Sequence, residues 1–121
     1  MVAVKEFMQK HFVGVSRTTK TASALKLAET AKVDLMPVVE DERLYGVVTS
    51  ASLERNLGEG SEVGRIMDRP IFIEASARLE DAAAVMIEYG VGRVPVVDSK
   101  ETMVCVGIVT STDIVNASKK S

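Results

Sequence analysis

Apolar positions recur along this chain in two matching patterns. Ala24, Leu27, Ala28 and Ala31 fall at i, i+3, i+4 and i+7, one face of a helix. Ala82, Val85, Met86 and Tyr89 repeat that spacing 58 residues later. After each helical pattern comes a short β-rich run. Met36-Pro37-Val38-Val39 leads to Gly46-Val47-Val48-Thr49-Ser50, and Val94-Pro95-Val96-Val97 leads to Gly107-Ile108-Val109-Thr110-Ser111. The Pro-Val-Val pieces are 58 apart and the glycine pieces 61 apart, so the second copy carries three extra residues in the intervening loop. Phe7-Met8 and Ile66-Met67, 59 apart, open the two copies.

The pattern predicts the same element order twice. Copy one reads as a short opening helix (Val4, Phe7, Met8) and a strand Phe12–Val15. The helix described above follows, then a hairpin of Leu35–Val39 and Leu44–Thr49 around the polar turn Glu40–Arg43, and a closing helix Ser50–Asn56. Copy two reads as strand Ile71–Ile73, helix Leu79–Tyr89, strands Val94–Val97 and Val104–Val109, and helix Ser111–Ala117. Asp81 or a neighbour caps the long helix and Gly90 stops it. The repeats are placed at 1–57 and 63–117, with a linker at 58–62 and a solvated tail at 118–121. A copy of this size is marginal for burying its own core, so two intertwined copies sharing one core are expected. The fold class is α+β, in layers.

Composition narrows the function without choosing it. Hydrophobic residues make up 46%, charged residues 26%, and the net charge is −2, a globular balance. Acidic and basic residues are interspersed, with neither the basic stripe of a nucleic-acid binder nor a polybasic membrane patch. The longest apolar run is too short to span a bilayer and no apolar signal core opens the chain, so a cytoplasmic location is expected. The single cysteine, Cys105, lies in a strand-like apolar run and reads as a buried structural thiol, and no metal-ligand cluster accompanies it. His11 is the only histidine. No nucleophile–base pair can be assembled, so no enzyme is expected. Gly58-x-Gly60-x-x-x-Gly64 has the wrong spacing for a dinucleotide loop and reads as linker.

The copies differ at one chemically loaded place. Copy two closes with Thr110-Ser111-Thr112-Asp113, copy one with Thr49-Ser50-Ala51-Ser52. A strand-to-helix junction presents unpaired N–H groups and suits a phosphate, and the hydroxyls of Thr110, Ser111 and Thr112 can add bonds. An ionised Asp113 is acceptor-only and can take both hydroxyls of a ribose. Thr110-x-x-Asp113 is equally a capping-box pattern, in which both residues satisfy the helix end. The two roles can coexist. Arg93, just before Val94-Pro95, is a candidate anion contact or a solvated arginine; His11 and Lys10 are weaker phosphate candidates.

A small apolar residue with Pro-Val-Val before a hairpin, and Gly-h-Val-Thr-x-x-Asp after it (h apolar), resembles the CBS domain, the module named for cystathionine β-synthase. The resemblance covers both copies and essentially the whole chain. It implies a tandem CBS-domain pair, two β-α-β-β-α units packed around a pseudo-two-fold axis. In the family, clefts between the units bind adenine nucleotides or related adenosyl ligands or stay empty, and the module regulates without catalysing. Carried onto this sequence, the Asp113 site would add Ile108, Val13 and Val33-Asp34-Leu35 to Thr110, Ser111 and Thr112. A second, weaker site would use Thr49, Ser52, Val47, Ile71 and Val91-Gly92-Arg93. The resemblance therefore implies a regulatory module for AMP, ADP, ATP or an S-adenosyl compound, with no catalytic cofactor and no metal. The alternative is a ligand-free scaffold for dimerisation or partner binding. A regulated protein in trans is a possible partner. A homodimer is expected from the family tendency and from an apparent excess of apolar residues on the short helices (Val4, Phe7, Met8, Ile66, Met67, Ile114, Val115).

Overall fold

In the computed structural model, which describes residues 2–58 and 60–119, helices and strands follow the two copies in order. Glu59 of the expected linker, and Lys120 and Ser121 of the expected tail, lie outside the described residues. A 3-10 turn at Val4–Glu6 is followed by α1 (Thr21–Ala31), β1 (Leu35–Glu40), β2 (Arg43–Thr49) and α2 (Ser50–Arg55). The second copy contributes α3 (Val63–Ile66), β3 (Ile73–Glu74), α4 (Leu79–Tyr89), β4 (Arg93–Val97), β5 (Cys105–Thr110) and α5 (Ser111–Lys119). The mixed α+β fold is therefore as read from the sequence.

The backbone repeats as closely as the sequence does. β1 and β2 pair antiparallel with Leu35 opposite Thr49, and β4 and β5 pair antiparallel with Arg93 opposite Thr110. Both ladders slip by one position at the same place, between Val38 and Val39 and between Val96 and Val97. The first hairpin closes through Asp41 and Glu42, both at positive φ (50° and 67°), the backbone of a two-residue type I′ turn. Its counterpart is longer, tied by hydrogen bonds from Asp98 N–H to Val104 O (2.8 Å) and from Met103 N–H to Ser99 O (2.8 Å). Lys32 and Gly90 end α1 and α4 in the left-handed region at φ 58° and 64°. Arg78 N–H donates to Asp81 at the start of α4 (3.3 Å), the cap the sequence suggests.

Three expectations are corrected. Phe12–Val15 is not a regular strand: Val15 makes a single parallel bridge to Val38, while the matching Ile73–Glu74 pairs with Val96–Val97. The buried stripe of α1 is Thr21, Ala24, Leu25 and Ala28, and Leu27 is exposed; in α4, Leu79, Ala82 and Met86 are buried and Tyr89 is exposed. The clustered core also divides in two. One cluster gathers Val15, Ala24, Leu25, Met36, Val48, Leu53 and Val63, and the other gathers Val4, Leu79, Ala82, Met86, Val94, Val109 and Ala117.

The two compact units are not the two sequence repeats. One comprises residues 13–70; the other joins residues 1–12 to residues 71–121. Each opening segment is bound by backbone pairs that match across the copies. Ala3 bridges Arg78 and Glu62 bridges Lys20; Gln9 pairs with Ile108 and Asp68 with Val47. The last two pairs are reciprocal, at 2.7 and 2.9 Å for Gln9 with Ile108 and at 2.8 and 3.1 Å for Asp68 with Val47. The opening residues that looked like apolar excess are thereby used. Val4 is fully buried; Phe7, Met8 and Ile114 pack on one cluster, and Ile66 and Met67 on the other. Of the residues invoked for a dimer on that ground, only Val115 is exposed, at 52%.

Cys105 is partly buried in β5. Burial pushes its thiol from an ordinary 9.0 up to about 11, against a smaller opposite pull from a backbone hydrogen bond of Gly107. A raised thiol pKa leaves folding undisturbed below the unfolded value and costs stability as pH climbs toward the folded one. At pH 8 we expect iodoacetamide to alkylate the folded chain roughly 100-fold more slowly than the urea-unfolded chain, as the shift of about two units in thiolate population requires. Equal rates in the two states would show that burial does not protect the thiol.

Candidate functional site

Thr110 ends β5 and Ser111 begins α5, so the Thr110–Asp113 segment is set by a strand-to-helix corner. The capping box is formed in full. Thr110 N–H donates to Asp113 Oδ2 at 2.8 Å, and Asp113 N–H donates to Thr110 Oγ1 at 3.2 Å. Thr110 is 6% exposed, whereas Ser111 and Thr112 are exposed and Asp113 is partly so. Gln9, brought in by the opening segment, donates from Nε2 to Asp113 Oδ1 and Oδ2 at 3.3 and 3.4 Å. Those two bonds are long, beyond the usual N–H···O range. A carboxylate has about four lone-pair sites, so one short bond and two weak ones leave it acceptor capacity.

The equivalent corner of copy one makes half of this box. Ser52 N–H donates to Thr49 Oγ1 at 3.1 Å, and Ser52 is 6% exposed. The Ser52 side chain offers no carboxylate to return the bond. The residue that matches Gln9 is Asp68, so the acid of copy one stands on the opening segment instead of the closing helix.

Each corner is tied to the segment before the first hairpin strand of its own unit. Ser111 N–H donates to Gly92 O (3.0 Å), and Ser50 N–H donates to Asp34 O (3.0 Å). The structure thus gathers Ile108, Thr110, Ser111, Thr112 and Asp113 in one unit with Ile71, Val91, Gly92 and Arg93. It gathers Val47, Thr49 and Ser52 in the other with Val13, Val33, Asp34 and Leu35. Among the apolar candidates, Ile108, Val47 and Leu35 are buried, at 3%, 0% and 1% exposure. Val13 and Val33 pack against one core cluster, and Ile71 and Val91 against the other. Arg93 is partly buried; Lys10 and His11 are exposed. Gln9 is the residue sequence reasoning missed. Its contact with Asp113 spans 104 positions, and the only hint was its place beside the repeated Phe-Met and Ile-Met pairs. Among the described residues, no group of three metal-ligating side chains occurs and no helix is long and apolar enough to cross a membrane.

The comparisons agree with this architecture. The chain is 31% identical to CBSX2 of Arabidopsis thaliana, solved in complex with AMP, over 99% of this chain and 98% of that one, with a TM-score of 0.84. It is 26% identical to the CBS domain pair of MJ0100, solved with 5′-methylthioadenosine and S-adenosyl-L-methionine, over 99% and 98% of the two chains, with a TM-score of 0.81. It is 29% identical to the homoserine O-acetyltransferase of Methanosarcina acetivorans over 93% of this chain but 21% of that one. The chain spans between about a fifth and under a half of the first curated relatives it matches. The CBS domain profile matches residues 4–59 and again 63–120, so the chain belongs to the CBS domain family as a tandem pair.

Proposed function

We propose that this CBS pair is a non-catalytic regulatory module that binds an adenine nucleotide or another adenosyl compound, with the Asp113 carboxylate accepting the ribose hydroxyls. The observation that carries the reading is the state of that carboxylate. Its short bond from Thr110 N–H fixes its direction, and among the described residues its other side-chain contacts are the two long ones from Gln9. Ribose hydroxyls can displace such bonds at small cost, because charge-assisted O–H···O⁻ bonds are shorter and stronger. Capping and ligand binding therefore do not compete. Support also comes from the AMP and adenosyl complexes of the two CBS pairs above.

Ser111 and Thr112 supply exposed hydroxyls, and Ile108 of the same unit an apolar side chain. The matching corner of copy one, with Val47, Thr49 and Ser52, is proposed to bind more weakly because Ser52 offers no charge. In this reading the module acts in the cytoplasm on a regulated protein, either in trans or in the same polypeptide. The test is a thermal-shift panel of AMP, ADP, ATP, S-adenosylmethionine and methylthioadenosine. A true ligand at 100 times its dissociation constant adds about 2.7 kcal/mol, a rise of roughly 10 °C for a chain of this size. A flat response to all five, supported by calorimetry, would favour the ligand-free scaffold.

A further inference from the structure

Position 68 repeats position 9 in the backbone. Gln9 pairs with Ile108 and Asp68 with Val47, each through two reciprocal bonds. Both segments lie equally close to their strands: a Cβ at Gly107 would stand 2.7 Å from Gln9 O, and one at Gly46 2.5 Å from Asp68 O. Side chains that start from matching backbone reach matching places. In one unit that place is the Asp113 carboxylate, which Gln9 Nε2 meets. The counterpart of Asp113 is Ser52, 61 residues earlier. Asp68 is thereby brought to the corner that holds Ser52, within residues 13–70. Each corner has one carboxylate, carried by the closing helix in copy two and by the opening segment in copy one.

We infer that Asp68 is the ribose acceptor of the copy-one corner, taking the hydroxyls of an adenosyl compound together with the Ser52 hydroxyl. The inference rests on the ribose reading of Asp113, and it moves the charge that Ser52 lacks onto a different element.

Two features of the corner call for a ligand. Asp68 is exposed, and no hydrogen bond or ion pair reaches its carboxylate among the described residues. Ser52 is only 6% exposed, and its backbone is already committed. Its N–H donates to Thr49 Oγ1 at 3.1 Å, and its carbonyl accepts from Asn56 Nδ2 at 2.7 Å. The Ser52 hydroxyl has no partner among the described residues, yet no unpartnered side-chain oxygen among them is sealed from solvent. It is a nearly buried hydroxyl with one open side, and such groups gain most from a partner. A solvated surface aspartate would leave that hydroxyl unexplained.

The chemistry of the pair is complementary to a cis-diol. A carboxylate is acceptor-only and takes the two O–H donors, while a serine hydroxyl can donate to a ribose oxygen. The site stays weaker than that of Asp113, because no cap bond fixes the direction of Asp68 and its side chain must be ordered on binding.

The test is calorimetry of the full chain with 5′-methylthioadenosine, which has the ribose hydroxyls and no phosphate, and in parallel with AMP. The parent should take up two equivalents, one tight and one weak. Asp68→Ala changes an exposed side chain and keeps the backbone pair with Val47, so melting should hold. It should weaken the second equivalent at least tenfold and leave the first alone, whereas Asp113→Ala should do the reverse. A second equivalent that binds folded Asp68→Ala as tightly as the parent overturns the inference. So does a parent with a single equivalent that Asp113→Ala removes, although the reading of Asp113 then stands. A first equivalent untouched by Asp113→Ala sinks that reading instead, and no uptake of either compound sinks both.

Discussion

Asp113→Ala lowers adenosyl-ligand affinity by roughly 10–150-fold, the equivalent of about 1.5–3 kcal/mol for a lost charge-assisted acceptor. The same change removes the acceptor for Thr110 N–H, so stability should fall by about 1 kcal/mol as the cap is lost. Asp113→Asn should cost less affinity, because the amide oxygen still accepts. Gln9→Ala should bind no more weakly than the parent, since it removes only the two long bonds a ribose must displace. Ser52→Ala should change little at this site. Calorimetry and melting must be read together. If Asp113→Ala melts lower yet binds as tightly as the parent, the carboxylate is a cap and nothing more.

Gly46→Ala and Gly107→Ala should each destabilise the fold by about 2–4 kcal/mol, measured by urea unfolding. A Cβ at Gly46 would lie 2.5 Å from Asp68 O and 2.9 Å from Met67 Sδ; at Gly107, 2.7 Å from Gln9 O and 3.0 Å from Met8 Sδ. The methionine tails can bend away. The carbonyls cannot, because each belongs to a reciprocal pair of backbone bonds holding an opening segment to its strand. The new methyl must push that segment off or distort the strand. Gly46→Ala should be the worse of the two, having the shorter approach. Truncating Met67 should not rescue it. A loss below about 0.5 kcal/mol in both would mean that the opening segments yield freely.

The features most legible in the sequence were those with local marks. Pro-Val-Val and Gly-h-Val-Thr located four strands and both closing helices, because β-rich runs and turn residues act over a few positions. The Thr110-x-x-Asp113 box was equally readable and is formed. The burial phase of α1 was misread because an alanine-rich helix is apolar over much of its surface. The sets 24/27/28/31 and 21/24/25/28 share Ala24 and Ala28, and only tertiary packing chooses between them. The approach of Gln9 to Asp113 and the exchange of opening segments left no periodic trace, since both depend on pairings far apart in sequence.

The exchange also sets an order of completion on the ribosome. Residues 13–70 form a continuous stretch, so that unit has all its parts as soon as Pro70 has left the exit tunnel. The segment before it, though made first, belongs with a core that needs Val94, Val109 and Ala117. From Pro70 to Ala117 is 117 − 70 = 47 residues, or roughly 2–10 s of elongation at ~5–20 residues per second. For that interval Val4, Phe7 and Met8 are apolar side chains without a seat. Residues made before the 13–70 unit are thus placed after it, and they are the ones a nascent-chain chaperone would meet.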